Sequence, residues 1–212
     1  KGSNGKFSVM ALIVVLLIAS GCQHAVKPVP VAAFDVYSSY SEKLQGKYLL
    51  YVDASELNTV VKPTDINCSA HNFPLDLRNS FSGSVSKSLA NLVTELIVVE
   101  TPVSRRQLRS RGAKGLIVVR ADKLSTRLRV IPGAWQGTIE TEVELQAGIM
   151  VDGRKGRLLG ISVSGDDQYT GSSGAFCSGG ADSLTESSKG ALKEVVRKLG
   201  EALVNSERVR KG

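Results

Sequence analysis

The sequence predicts an α+β domain: a mixed, largely antiparallel sheet with two main helices packed on one face. Three observations predict it. In Thr138–Val151, Ile139, Thr141, Val143, Leu145, Ala147, Ile149 and Val151 alternate with Glu140, Glu142, Glu144 and Gln146, the period of a strand with one wet face. Near the C-terminus an apolar stripe from Leu184 through Leu192, Val195, Val196 and Leu199 to Leu203 recurs at helical spacing. Between the N-terminal region and these two elements lie an apolar strand, a helix and a second strand, in that order.

In chain order, the first feature is an apolar run, Val9–Ala19, behind Lys1 and Lys6. It is shorter than the roughly 20 residues that span a bilayer and fits the core of an export signal. It closes on Ala19-Ser20-Gly21-Cys22. Small residues before a cysteine let a peptidase hold the backbone extended. The motif resembles the lipobox of bacterial lipoproteins, with Ala19 where Leu is usual. The resemblance implies acylation of Cys22 and cleavage before it. It also implies the outer membrane, because Gln23 stands where Asp would mark inner-membrane retention. The bland alternative is a plain signal peptide with Cys22 incidental. Residues 1–21 are therefore set aside as a signal.

Residues 22–45 carry the lipidated N-terminus and an extended tether, since Lys27-Pro28-Val29-Pro30 favours extended backbone. Residues 46–206 form one domain, a length that suits a single core. Lys47–Asp53 is a strand whose near-continuous apolar run suggests a central place. Phe73–Leu77 is a short extended lead-in. Phe81, Val85, Leu89, Leu92, Val93 and Leu96 mark a helix with Asn79 or Ser80 as N-cap, and Glu95–Glu100 a second strand. Ser104–Gly112 is a short basic helix or loop. Gly115–Asp122 is a third strand, continuing through Arg127–Ile131. Asp152–Gly156 is a hairpin turn, and Arg157–Ser164 the returning strand. A Gly/Ser-rich loop spans Gly165–Gly180. The last helix runs from about Asp182 to Asn205, with Ser183 and Glu186 as a capping box. Residues 207–212 are a basic, frayed tail.

Formal net charge is +7. That balance favours phosphate- or carboxylate-bearing partners, while an export signal argues against nucleic acid. Beyond Cys22, Cys68 and Cys177 make an even pair in an oxidising space, which suggests a disulfide; two separate buried thiols are the alternative. The spacing does not suit zinc.

Catalytic chemistry is hard to place. The two histidines, His24 and His71, accompany no nucleophile motif. The loop Gly171–Gly180 lacks the Gly-Lys-Ser/Thr ending of a phosphate-binding loop. The row Glu140, Glu142, Glu144 reads as a solvated strand face with cross-strand partners such as Arg127 and Arg129. Arg105, Arg106, Arg109 and Arg111 crowd a short connection and are the candidate partner-binding residues. No metal site or cofactor is expected.

This order of elements behind a lipobox cysteine resembles small periplasmic lipoproteins of the YajG-like and ABC-transport-auxiliary kind. The resemblance implies a non-enzymatic binding or scaffold component of an envelope transport, secretion or assembly machine. It would be held to the outer membrane through acyl chains on Cys22, with an envelope protein complex, anionic lipid or polymer as partner. An envelope-polymer hydrolase is the alternative.

Overall fold

The computed structural model describes residues 22–133 and 137–212; the signal assigned to 1–21 lies outside them. The strands are β1 (Cys22–Gln23), β2 (Leu44–Asp53), β3 (Asn58–Val61), β4 (His71–Asp76), β5 (Val93–Val98), β6 (Gly115–Ile131), β7 (Thr138–Gly153) and β8 (Arg157–Ser172). The helices are α1 (Arg78–Ala90), α2 (Arg105–Ser110), α3 (Gly179–Val204) and α4 (Glu207–Lys211). The main sheet has the order β5-β2-β6-β7-β8. β2 pairs in parallel with both β5 and β6, and β6, β7 and β8 are antiparallel. The fold is the mixed α+β arrangement that the patterns predict. A small second sheet, β1-β4-β3, flanks it.

One core lies between this sheet and α1 with α3. Phe81, Val85 and Leu89 of α1 join Leu184, Leu192, Val195, Val196 and Leu199 of α3 over the inward residues of β6 and β7. β2 is covered on both faces: Tyr48 and Leu50 point into this core, while Leu49 packs with Leu108, Ala113, Leu116 and Val118 under α2. That explains its unbroken apolar run. Asp122 bulges between the paired residues Ala121 and Lys123, so β6 continues as one strand.

Several boundaries differ from the sequence expectation. β8 runs through Ser172 rather than ending at Ser164, because β7 offers partners as far as Thr138 and polar residues suit an outer edge. The expected loop therefore shrinks to residues 173–178. Within β8, a Cβ on Gly165 would lie 2.8 Å from the Ala191 carbonyl oxygen and the Val195 nitrogen, so glycine there permits close approach of α3. α3 begins at Gly179, and no side-chain capping bond is made at Ser178. Ser183 is buried inside the helix rather than capping it. Likewise α1 starts at Arg78, and Ser80 faces inward.

The segment 24–43 forms no helix or strand and lies on the body rather than standing clear of it. A serine row at helical spacing on α1 holds its backbone. Ser80 Oγ donates to the Val29 carbonyl at 2.6 Å, Ser84 Oγ accepts from the Ala32 N–H at 3.2 Å, and Ser88 Oγ accepts from the Phe34 N–H at 2.9 Å. Val31 and Val36 sit over Gly83 of α1 and Gly200 of α3, where a Cβ would collide. The tail is also docked. Ser206 caps α4, Val209 is fully buried, and the Arg210 guanidinium lies 3.8 Å from the Tyr40 ring centroid.

Candidate functional site

Two ends of the long β6–β7–β8 sheet carry the residues singled out by sequence. At one end, β1 pairs with β4 through Cys22 opposite His71 and Gln23 opposite Asn72. Cys22 is exposed with a free thiol. His24 Nε2 and His71 Nδ1 lie 2.7 Å apart, and His24 stacks on Phe73 with ring centroids 5.3 Å apart. The two imidazole centroids are 4.8 Å apart at an interplanar angle of 23°. Rings that close to coplanar, with nitrogens facing, make an N–H···N hydrogen bond, in which one imidazole must be a neutral acceptor. The His71 N–H donates to the Cys68 carbonyl at 2.9 Å.

Cys68 is disulfide-bonded to Cys177, with Cα atoms 6.1 Å apart. The bond ties the loop before β4 to the turn before α3. Both cysteines have positive φ, 66° and 63°. The pairing follows from topology. β8 delivers Cys177 to the same end of the sheet at which Thr64 N–H donates to the Leu128 carbonyl of β6.

The glutamate row meets its expected partners. Register places Arg127 opposite Glu142 and Arg129 opposite Glu140. The ion pairs measure 3.1 and 3.8 Å, and Lys123 reaches Glu144 at 3.9 Å. These pairs are solvent-exposed and add little stability. Arg120 similarly approaches Asp53 at 3.5 Å. The cations between Arg105 and Arg129 thus divide in two, and the second half, Arg120, Lys123, Arg127 and Arg129, is neutralised by β2 and β7.

Its first half is not. Arg105, Arg106, Arg109 and Arg111 are exposed, and none forms an ion pair with a described residue. They sit on and just after α2. Ser104 and Gln107 form its reciprocal capping box, and Leu108 anchors it in the second core cluster. That anchoring fixes which face is buried and leaves the arginines outward.

Sequence reasoning missed what surrounds them. Arg109 Nη2 reaches the Arg154 carbonyl at 3.5 Å, and Arg154 Nε donates to the Ala113 carbonyl at 2.8 Å. Lys114 Nζ donates to the Arg210 carbonyl at 3.1 Å, and Arg208 Nη2 to the Arg157 carbonyl at 3.0 Å. The β7–β8 turn and α4 therefore gather beside α2. No local signal joins three segments so far apart in sequence. The pairing of β1 with β4, and of the two histidines, was equally invisible.

Among the described residues no group of three or more His, Cys, Asp or Glu converges as a metal site requires. No helix among them is long and apolar enough to cross a membrane. The wet sheet face has a shallow, open cleft at Arg127, Arg129, Glu140, Glu142, Gln168 and Thr170, lined by the ion-pair ladder itself.

No protein-family model matches the chain, and no curated protein does. Solved structures show distant likeness. Protein XCC0632 of Xanthomonas campestris, described with the family model DUF330, is 10% identical with a TM-score of 0.46; the match covers 84% of this chain and 92% of that one. The hypothetical protein CT253 of Chlamydia trachomatis is 10% identical, TM-score 0.39, over 74% and 97% of the two chains. Lipoprotein GNA1162 of Neisseria meningitidis is 10% identical, TM-score 0.26, over 57% and 83%. At these identities and TM-scores the likeness assigns neither a family nor a function.

Proposed function

We propose that this chain is a lipid-anchored, non-enzymatic binding or scaffold component of a cell-envelope machine, held on the periplasmic face of the outer membrane through Cys22. The observation that carries the reading is Cys22 itself. It follows an export-type apolar run and the small residues Ala19, Ser20 and Gly21, and its thiol is exposed at the start of β1. An acylated cysteine needs that exposure, because a buried one would drag its chains into the core. The non-enzymatic part of the reading is supported by the histidines, which bond to each other and not to a nucleophile. Arg105, Arg106, Arg109 and Arg111 supply the partner-binding edge.

The test is metabolic labelling with a fatty-acid analogue, followed by membrane fractionation. Wild-type protein should take up label and fractionate with the outer membrane. Cys22→Ser should lose the label and accumulate unprocessed. Label retained by the Ser variant, or wild-type protein found in the aqueous fraction, would overturn the reading.

A further inference from the structure

We propose that the end of the molecule remote from Cys22 is a composite binding face for a polyanionic chain, a flexible polymer bearing repeated phosphate or carboxylate groups. Three segments build it. Residues 105–114 carry four arginines and a lysine with no acid, residues 152–157 three cations against Asp152, and residues 206–212 three against Glu207. Their net charge of nine positive exceeds the +7 of the whole chain, so the remaining residues together are net negative. The charge is gathered rather than spread.

Two observations choose the polymer over a packed protein partner. First, none of the exposed large apolar side chains among the described residues lies in these three segments, and a packed interface needs an apolar centre. Second, the four arginines of residues 105–111 and those of the turn sit on outward-facing segments, and the open cleft that Arg157 lines also carries Asp122. A surface stripe of cations suits a chain bound mainly through release of its counterions. Arginine, which predominates, contacts such oxyanions bidentately.

Position argues against the headgroups of the anchoring membrane. The basic end is where β6 begins, with Gly115 opposite Gly153. Cys22 lies at the other end: His24 stacks on Phe73, and Gly180 lies against both Phe73 and Leu128. From Gly115 to Leu128 the strand spans roughly 40 Å. On the anchoring reading proposed above, which this direction rests on, the basic face points away from the membrane that holds the protein.

The experiment uses full-length lipidated protein in neutral detergent. Long-chain polyphosphate and poly-L-glutamate are the probes, and vesicles with and without anionic lipid form a separate arm. Binding is measured by fluorescence anisotropy from about 50 to 200 mM salt. With six to nine contacts at about 0.7 in log–log slope each, affinity should fall on the order of a thousandfold over that range. Replacing Arg105, Arg106, Arg109 and Arg111 by Gln should reduce the slope by about 3, and Arg154→Gln with Lys155→Gln by about 1. Replacing Arg127, Arg129, Glu140 and Glu142 together by Gln, at the other end of the sheet, should change nothing. Binding of polyphosphate alone would narrow the ligand to phosphate chains; binding of both polymers would support the wider class. The proposal is overturned if neither polymer binds, if only anionic vesicles bind, or if the turn variant keeps the full slope. Fatty-acid label is read on the same preparations. Intact label without polymer binding sinks this inference alone, and absent label with polymer binding sinks the anchoring reading alone.

Discussion

Removing the Cys68–Cys177 disulfide tests how the Cys22 end of the molecule is held. The bond joins residues 109 apart in sequence. In the chain-entropy account a cross-link closing a loop of that length stabilises by about 4–5 kcal/mol, less where the unfolded chain is compact. A second contribution opposes it. Cys68 and Cys177 hold φ of 66° and 63°, a left-handed region that costs a non-glycine residue about 1–2 kcal/mol. Serine at both positions loses the cross-link and keeps the backbone penalty. Glycine at both loses the cross-link and the penalty, at about 0.4–1 kcal/mol per site in unfolded-state entropy. The double Gly variant should therefore exceed the double Ser variant by roughly 0.5–1 kcal/mol per site, and both should fall well below the oxidised protein. Urea unfolding followed by far-ultraviolet circular dichroism measures all three. Oxidised and double Ser proteins within about 1 kcal/mol of each other would refute the cross-link argument. Equal Ser and Gly variants would refute the backbone argument.

Gly165→Ala should lower stability by about 1–3 kcal/mol in the same assay, because the new Cβ meets α3 backbone that cannot step aside. Gly156→Ala, with open space around it, should stay within about 0.5 kcal/mol, and equal effects would refute the packing argument. Burial raises the Asp167 carboxyl above its ordinary range; the Gln168 N–H opposes this, and Asp166, Glu194 and Glu186 add to it. The folded state thus binds that proton more tightly than the unfolded one, and the charged form costs stability once pH exceeds the unfolded value. Asp167→Asn should raise Tm at about pH 7, with the gain vanishing below about pH 4; no gain at neutral pH refutes it. Finally, the 2.7 Å contact between His24 and His71 needs a ring nitrogen on each side. Amide protection at His24, whose N–H donates to the Asn72 carbonyl, should be lower in His71→Phe than in wild type. Equal protection in the two proteins would sink the point.

What could be read in advance depended on whether a residue's neighbours were local. Alternation along Thr138–Val151 reports its own two faces, so β7 and its ion-pair ladder were legible. The stripe of α3 was legible for the same reason. Helix starts were not, because Ser80 and Ser183 resemble caps but are buried by tertiary contacts. The serine row of α1 marks a face that binds backbone rather than apolar side chains, so it dilutes the hydrophobic signal while grasping residues 29–34. The end of β8 was hidden because its polar, glycine-containing sequence has the composition of a loop, and only its register with β7 makes it a strand.

The fate of the arginines shows the same dependence with a consequence for function. Those at 127 and 129 and those at 105–111 are alike in type and close in sequence. Strand register separates them. Antiparallel pairing sets the former opposite glutamates of β7 and leaves a nearly neutral sheet face. The latter precede β6, so their neighbours across the sheet end are set by the length of the β7–β8 hairpin. With strands of 16 residues each, its turn arrives beside residues 109–113 and brings Arg154 and Lys155 instead of carboxylates. Like charges gathered there add nothing to folding and project a field over about a Debye length, roughly 8 Å at physiological ionic strength. The hairpin that supplies the core with its longest inward face is thus also the element that makes one end of the molecule strongly cationic. The turn charges do not reach that inward face, so exchanging them should change binding more than stability, with Arg154 also giving up its bond to the buried Ala113 carbonyl.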